Sequence, residues 1–213
     1  MKIYGFYHIC TINNWKEIVQ EQLCKIVKSG LYDETEKIFV SIIGNECNWI
    51  PSLDGNILNK CVIIYTSQDT SCYERKILEY MREFSYQCEE NDKYYYLHSK
   101  GIKWYDNIYV YINVQDWRRY MEYFIIEKYK SCVQDLAEYD VCGVNFSENP
   151  KRHFSGNFWW ARSGYIKKLP TKINDDYLDP EMWLCSSNPK HKNYFSSGIN
   201  HYWGNFPLSK YAK

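Results

Sequence analysis

The residues with most chemical promise lie where an aromatic run stops: Tyr94-Tyr95-Tyr96-Leu97 is followed at once by His98-Ser99-Lys100-Gly101. Aromatic residues suit a pleated, buried strand, and a glycine after them lets the backbone turn sharply where three polar side chains are presented. In an open α/β sheet, ligands bind outside the carboxyl ends of the strands, so this strand end is a candidate site. The alternative is a hairpin end carrying a histidine by chance. A second segment, Asp175-Asp176-Tyr177-Leu178-Asp179-Pro180-Glu181, reads as the start of a helix with Asp179 as N-cap and Pro180 at the first helical position. Glu181 then falls in the first turn, where the helix macrodipole favours the ionised carboxylate that a general base must be. In the plainer account Glu181 only satisfies the helix end. A third segment, residues 153–162, carries the pair Trp159-Trp160, which suits a core or interface strand.

Something must position these groups, and the chain supplies alternating strands and helices. Ile3 to Ile9 reads as a first strand and Trp15 to Ser29 as a helix, with Val19, Leu23, Ile26 and Val27 on one face, Asn14 and Glu17 as a capping box and Gly30 as its end. Lys37 to Gly44 and Cys61 to Thr66 are β-branched enough to lie buried in a parallel sheet. Ser71 with Glu74 caps a helix from Tyr73 to about Phe84, on which Arg75 and Arg82 read as solvated charges. After the Tyr94 to His98 strand, Ile108 to Ile112 alternates like an edge strand, and a long helix runs from Val114 to Ala137. Tyr139 to Asn145 and Asn157 to Arg162 are the last strands expected. The order predicts one α/β domain over residues 1–213 with a doubly wound sheet, mixed because its two late strands lack a crossover helix. The loop Cys10-Thr11-Ile12-Asn13, between the first strand and helix, suits a nucleotide, although no G-x-G-x-x-G is present.

The bulk properties restrict the partners. Lys+Arg and Asp+Glu are both 26 in 213 residues, so no net basic field draws the chain to nucleic acid or an anionic membrane. Nine cysteines without a C-x-x-C pair, and no basic-then-apolar leader, predict a reducing compartment. No apolar run approaches the roughly 18 residues of a spanning helix. The chemistry of 22 Tyr and 8 Trp, flat rings with a polar handle, suits sugar or base recognition as well as plain core packing.

Tyr-Leu-His-Ser-Lys-Gly at 96–101 and Ser-Gly-Asn-Phe-Trp-Trp-Ala-Arg at 155–162, in that order, resemble the nucleotide-sugar glycosyltransferases of the GT-A fold. The likeness extends over nearly the whole chain and is greatest to a subgroup from large DNA viruses, including chlorella-virus enzymes of capsid glycan synthesis, and from bacterial rhamnan-synthesis-like proteins. It implies a Rossmann-like, mostly parallel central sheet flanked by helices, a UDP-sugar donor, a glycan or glycoprotein acceptor and a cytoplasmic location, the host's for a viral protein. His98-Ser99-Lys100 stands where relatives carry an Asp-x-Asp motif that holds Mn2+ or Mg2+ on the diphosphate, so His98, with the late His201, becomes the expected metal ligand. Glu181 stands where inverting relatives keep their base, with Asp176 and Asp179 in reserve. For the donor the resemblance implies Lys100, His98 and Arg75 on the diphosphate, Thr11 and Asp69 on uracil and ribose, and Tyr65 or Tyr73 stacking. For the acceptor it implies Asn157 and a sugar platform of Trp159 and Trp160. A non-catalytic carbohydrate-binding module and, third, a nucleotidyltransferase are the competing classes; the oligomeric state and any further domain are left open.

Overall fold

Residues 3–11 and 35–44 are almost continuously buried, the pattern of strands covered on both faces. In the computed structural model, which describes residues 1–46 and 59–212, they form β1 (Ile3–Thr11) and β2 (Thr35–Gly44). Cys47, one of the nine cysteines, and Lys213 lie outside the described residues. With β3 (Cys61–Ser67), β4 (Lys93–His98), β5 (Val141–Gly143), β8 (Trp159–Arg162) and β9 (His191–Asn193) they make a seven-stranded sheet in the order β3-β2-β1-β4-β8-β5-β9. Four strand pairs are parallel and the two that involve β8 are antiparallel, so the fold is the expected mixed, mostly parallel α/β sheet. A two-stranded ribbon of β6 (Phe146–Ser147) and β7 (His153–Phe154) stands apart from it.

The aromatic strand is central because its two faces feed two different cores. Tyr95 and Leu97 pack with α1 (Trp15–Lys28) and with Trp117, Tyr120 and Met121 of a long helix on one side of the sheet. Tyr94 and Tyr96 join Ile77, Leu78 and Met81 of the helix Arg75–Ser85 on the other. The Tyr95 ring lies across Gly5 of the neighbouring strand, where a Cβ would sit 2.5 Å from its phenol. Gly5→Ala should therefore overpack the sheet and cost about 1–3 kcal/mol, read as a shift in the urea midpoint.

Two local expectations are corrected. Ile108 to Ile112 is the start of a helix, Ile108–Glu122, and not an edge strand. Asn107 caps it by accepting from the Val110 amide, and of residues 108–112 only Val110 is buried, while Ile108, Tyr109 and Ile112 stay exposed. The apparent alternation has no partner strand behind it. The helix continues through a π-helical turn at Tyr123–Glu127 into Tyr129–Asp135. The capping boxes are also replaced: Asn14 donates to the Tyr111 hydroxyl at 2.5 Å, and Asp69, not Ser71, accepts from the turn before the Arg75 helix. No helix among the described residues is long and apolar enough to cross a membrane.

Candidate functional site

From β1 the chain steps outward to β2 and β3, then returns to place β4 on the other side of β1. The carboxyl ends of β1 and β4 thus diverge into the crevice where open α/β sheets bind ligands. A cavity of about 520 Å3 occupies it, lined by His8 and Cys10 from β1, His98 to Lys103 at and after the end of β4, Tyr73 and Glu74, Ser155 to Asn157, Tyr177 and Leu178, and Pro180 to Met182. Gly101, at φ 100°, makes the turn that presents Lys100, as the sequence predicts.

Two lysines line this cavity, Lys103 exposed and Lys100 the more sheltered of the pair. The Lys100 ammonium lies 3.9 Å above the Trp117 ring, and the His201 ring stacks on the same indole at 5.0 Å. Burial lowers its pKa, and the carboxylates of Glu181 and Glu74 oppose that shift by favouring the charged form. The Trp117 Nε1–H, buried beside it, has no hydrogen-bond partner. Glu181 accepts from the Gly156 amide at 2.6 Å. It opens a short helix, Asp179–Trp183, whose cap is Leu178 and not Asp179.

Glu74 is the carboxylate that sequence reasoning gave only a capping role. It accepts from Asn157 Nδ2 at 2.6 Å and faces His98 Nδ1 at 3.5 Å. The other nitrogen of His98 meets the Gly156 carbonyl at 3.0 Å, which requires the proton on Nε2. Burial, reinforced by Lys100, pushes the His98 pKa down to about 3, so the ring is neutral at ordinary pH. Gly156 and Asn157, at φ 95° and 60°, thereby hold both carboxylates and the imidazole around one turn. No sequence signal marks Glu74; in the structure it directly follows Tyr73, a bulky residue at φ 44° on the cavity wall. Such strain, about 1–3 kcal/mol, collects at functional sites.

Several expected site residues do other work. Arg75 is buried and donates to the carbonyls of Asn174 at 2.8 Å and Asp176 at 3.0 Å, as well as to Ser71. It is neither a solvated charge nor a diphosphate ligand; it staples the Tyr73–Glu74 turn to the Asp176 segment. Thr11 is buried, bonded to the Ile43 carbonyl and the Glu46 amide, and ties the ends of β1 and β2 together. Tyr65 and Asp69 lie outside the cavity, the first beside Cys72 and the second capping the Ser71 turn, so of the donor-stacking pair only Tyr73 lines it. Trp159 and Trp160 are 1% and 0% exposed, with their N–H groups given to Asn157 and the Ile125 carbonyl. No sugar can lie on them. The exposed rim offers Tyr73 and Tyr177 instead, paired edge to face at 5.2 Å, and Trp104 against Tyr202 at 5.5 Å. Asp176 is exposed on the surface, and Asp179 lines a different cavity.

The donor atoms do not fit a resident Mn2+ or Mg2+. Nε2 of His201 is taken by Asn145 at 3.0 Å and Ser197 at 2.8 Å; its Nδ1 is buried without a partner, but the ring is stacked on Trp117 and does not line the cavity. His98 has one nitrogen free, Glu74 and Glu181 each already accept a hydrogen bond, and no metal-competent group of three or more His, Cys, Asp or Glu exists among the described residues.

Neutral buried imidazoles make stability pH-dependent. Burial is the main cause that pushes His8 and His201 down to about 4 and His98 to about 3, against an ordinary 6.5. Between those values the unfolded chain takes up protons that the folded chain refuses, so this stability is complete above pH 6.5 and drains away as pH falls toward 4. The melting temperature should drop across that window, whereas a flat profile from pH 7 to 4.5 would contradict neutral burial.

No curated protein matches this sequence. Among solved structures, the crystal structure of S. aureus TarS 1-349 is similar over 92% of this chain and 60% of that one, at 14% identity and a TM-score of 0.40. This chain therefore spans about 60% of the length of that structure, and so loose a likeness carries no argument about activity. Residues 6–198 match a single family throughout, and the chain belongs to it: the family described as a domain of unknown function, DUF8361.

Proposed function

We propose that this chain is a glycosyltransferase that moves a sugar from a nucleoside diphosphate to a hydroxyl acceptor. The observation that carries it is the presence of Lys100 and Glu181 in the lining of one cavity at the switch point between β1 and β4. Glycosyl transfer needs both charges. The acceptor O–H gives its proton to Glu181, its oxygen bonds to the anomeric carbon, and the carbon–oxygen bond to the diphosphate breaks with its electron pair going to the leaving group. The negative charge so gathered on the diphosphate is met by Lys100, held in place over Trp117. His98 keeps the Gly156 turn in register, and Asn157 orients Glu74. The rim aromatics Tyr73 and Tyr177 provide the flat surfaces that a base or sugar ring requires. The motif resemblance supports UDP as the nucleotide and a glycan of a viral capsid glycoprotein as the acceptor.

Calorimetric titration with UDP, GDP and CMP, each with and without Mn2+, tests this. UDP should bind, and should still bind without the metal because Lys100 supplies the counter-charge. Binding of no nucleotide in either condition would overturn the proposal. Glycan binding alone would leave a carbohydrate-binding module.

A further inference from the structure

The short helix that carries Glu181 has a second cavity on its other side. Its volume is about 360 Å3, and its wall includes Asp179, Met182 and Trp183 of that helix. Met182 lines both cavities, so one side chain separates them. The ribbon is split in the same way: Pro150 and His153 face the first cavity, Lys151 and Arg152 the second.

The charge of the second cavity is unbalanced. Lys151, Arg152 and Lys172 line it against the single carboxylate of Asp179. None of the three cations forms an ion pair among the described residues, although ion pairs tie down Lys25, Lys76, Arg118, Arg162 and Lys167 elsewhere. Arg152 is held by neutral acceptors, Asn188 Oδ1 at 3.0 Å and His191 Nδ1 at 3.2 Å, and its buried Nε–H has no partner. Its charge is felt nearby: burial, then Arg152, lowers the pKa of His191. Asp179 Oδ2 is likewise buried without a partner. A guanidinium held by neutral groups with its Nε–H unspent is arranged to receive an anion, and a free carboxylate oxygen of a residue lining the same cavity is arranged to accept from a hydroxyl.

We infer that this second cavity is an acceptor subsite for a sugar bearing an anionic substituent, a carboxylate or a phosphate. Arg152, with Lys151 and Lys172 at the rim, takes the anion, Asp179 takes a ring hydroxyl, and the indole of Trp183 forms the floor. The inference rests on the proposed function for its direction, because Glu181 then stands between the donor and the acceptor's charged unit. It assigns Asp179 to acceptor binding rather than to proton transfer.

The test titrates the full chain with a uronate-containing oligosaccharide, a phosphorylated oligosaccharide and the neutral parent of each. Both anionic ligands should bind more tightly than their neutral parents, with affinity falling as salt rises. Arg152→Gln should weaken that binding about tenfold or more, the size expected for one charge-assisted contact. Lys151→Gln/Lys172→Gln, on exposed positions, repeats the test without touching a buried group. A preference for uronate or phosphate identifies the anion. Equal binding of charged and neutral ligands, binding unchanged in both variants, or no binding at all would overturn the inference. UDP titration run alongside separates the two ideas: anionic glycan binding without nucleotide binding sinks the transferase and leaves the anion site standing.

Discussion

Lys100→Met should weaken UDP binding by about 10- to 100-fold, the loss expected when a charge-assisted contact to a diphosphate is removed from a sheltered site. The fold should survive, because Lys100 lies in the cavity wall and not in either core, and methionine keeps an apolar stem over Trp117. Lys100→Arg should not restore binding, since a planar fork cannot occupy the place of a compact ammonium 3.9 Å above an indole. A second readout is independent of any nucleotide. Lys100 helps to hold down the pKa of both His98 and His201, so the methionine variant should raise both toward the ordinary value, visible in imidazole NMR titrations. Unchanged UDP affinity together with unchanged imidazole titrations would remove Lys100 from the site altogether.

Much of this site was legible at strand ends and little of it inside strands. The aromatic strand with its glycine turn located Lys100 and His98, because burial and a sharp turn are local properties that sequence encodes directly. Glu181 was found for a related reason, since Asp-Pro marks a helix start. Failures came where tertiary contact decides. Trp159 and Trp160 alternate between two buried faces of a central strand, and a sequence cannot distinguish an indole that faces a ligand from one that faces a core. Arg75 looked solvated on its helix face until the Asn174–Asp176 segment, about a hundred residues away, folded over it. Glu74 and Asn157 meet across a separation of 83 residues, with no shared motif to announce the pair. The strand His191–Asn193 has no apolar pattern and is held by main-chain pairing to β5.

Glu181→Gln should lower turnover by about 100- to 10,000-fold, the usual contribution of a general base, and leave UDP affinity nearly intact. Glutamine preserves the acceptor for the Gly156 amide, so the turn that carries Asn157 stays in place and the loss reports proton transfer rather than collapse of the wall. The comparison that gives this weight is Glu74→Gln. Both carboxylates line the same cavity and both favour the charged form of Lys100, so each is a candidate for the base of the proposed reaction. They differ in what already holds them. Glu74 is engaged by Asn157 and faces the lone pair of His98, whereas Glu181 opens a helix next to the Tyr177 rim and the Met182 partition. Glu74→Gln should therefore change activity less and disturb the titration of His8, whose pKa the Glu74 charge raises. If Glu74→Gln abolishes turnover while Glu181→Gln spares it, the base is Glu74, and the acceptor must approach from the His98 side of the cavity. Equal activity in both variants would separate proton transfer from this pair of carboxylates, because Asp176 is turned out to solvent and Asp179 faces the other cavity.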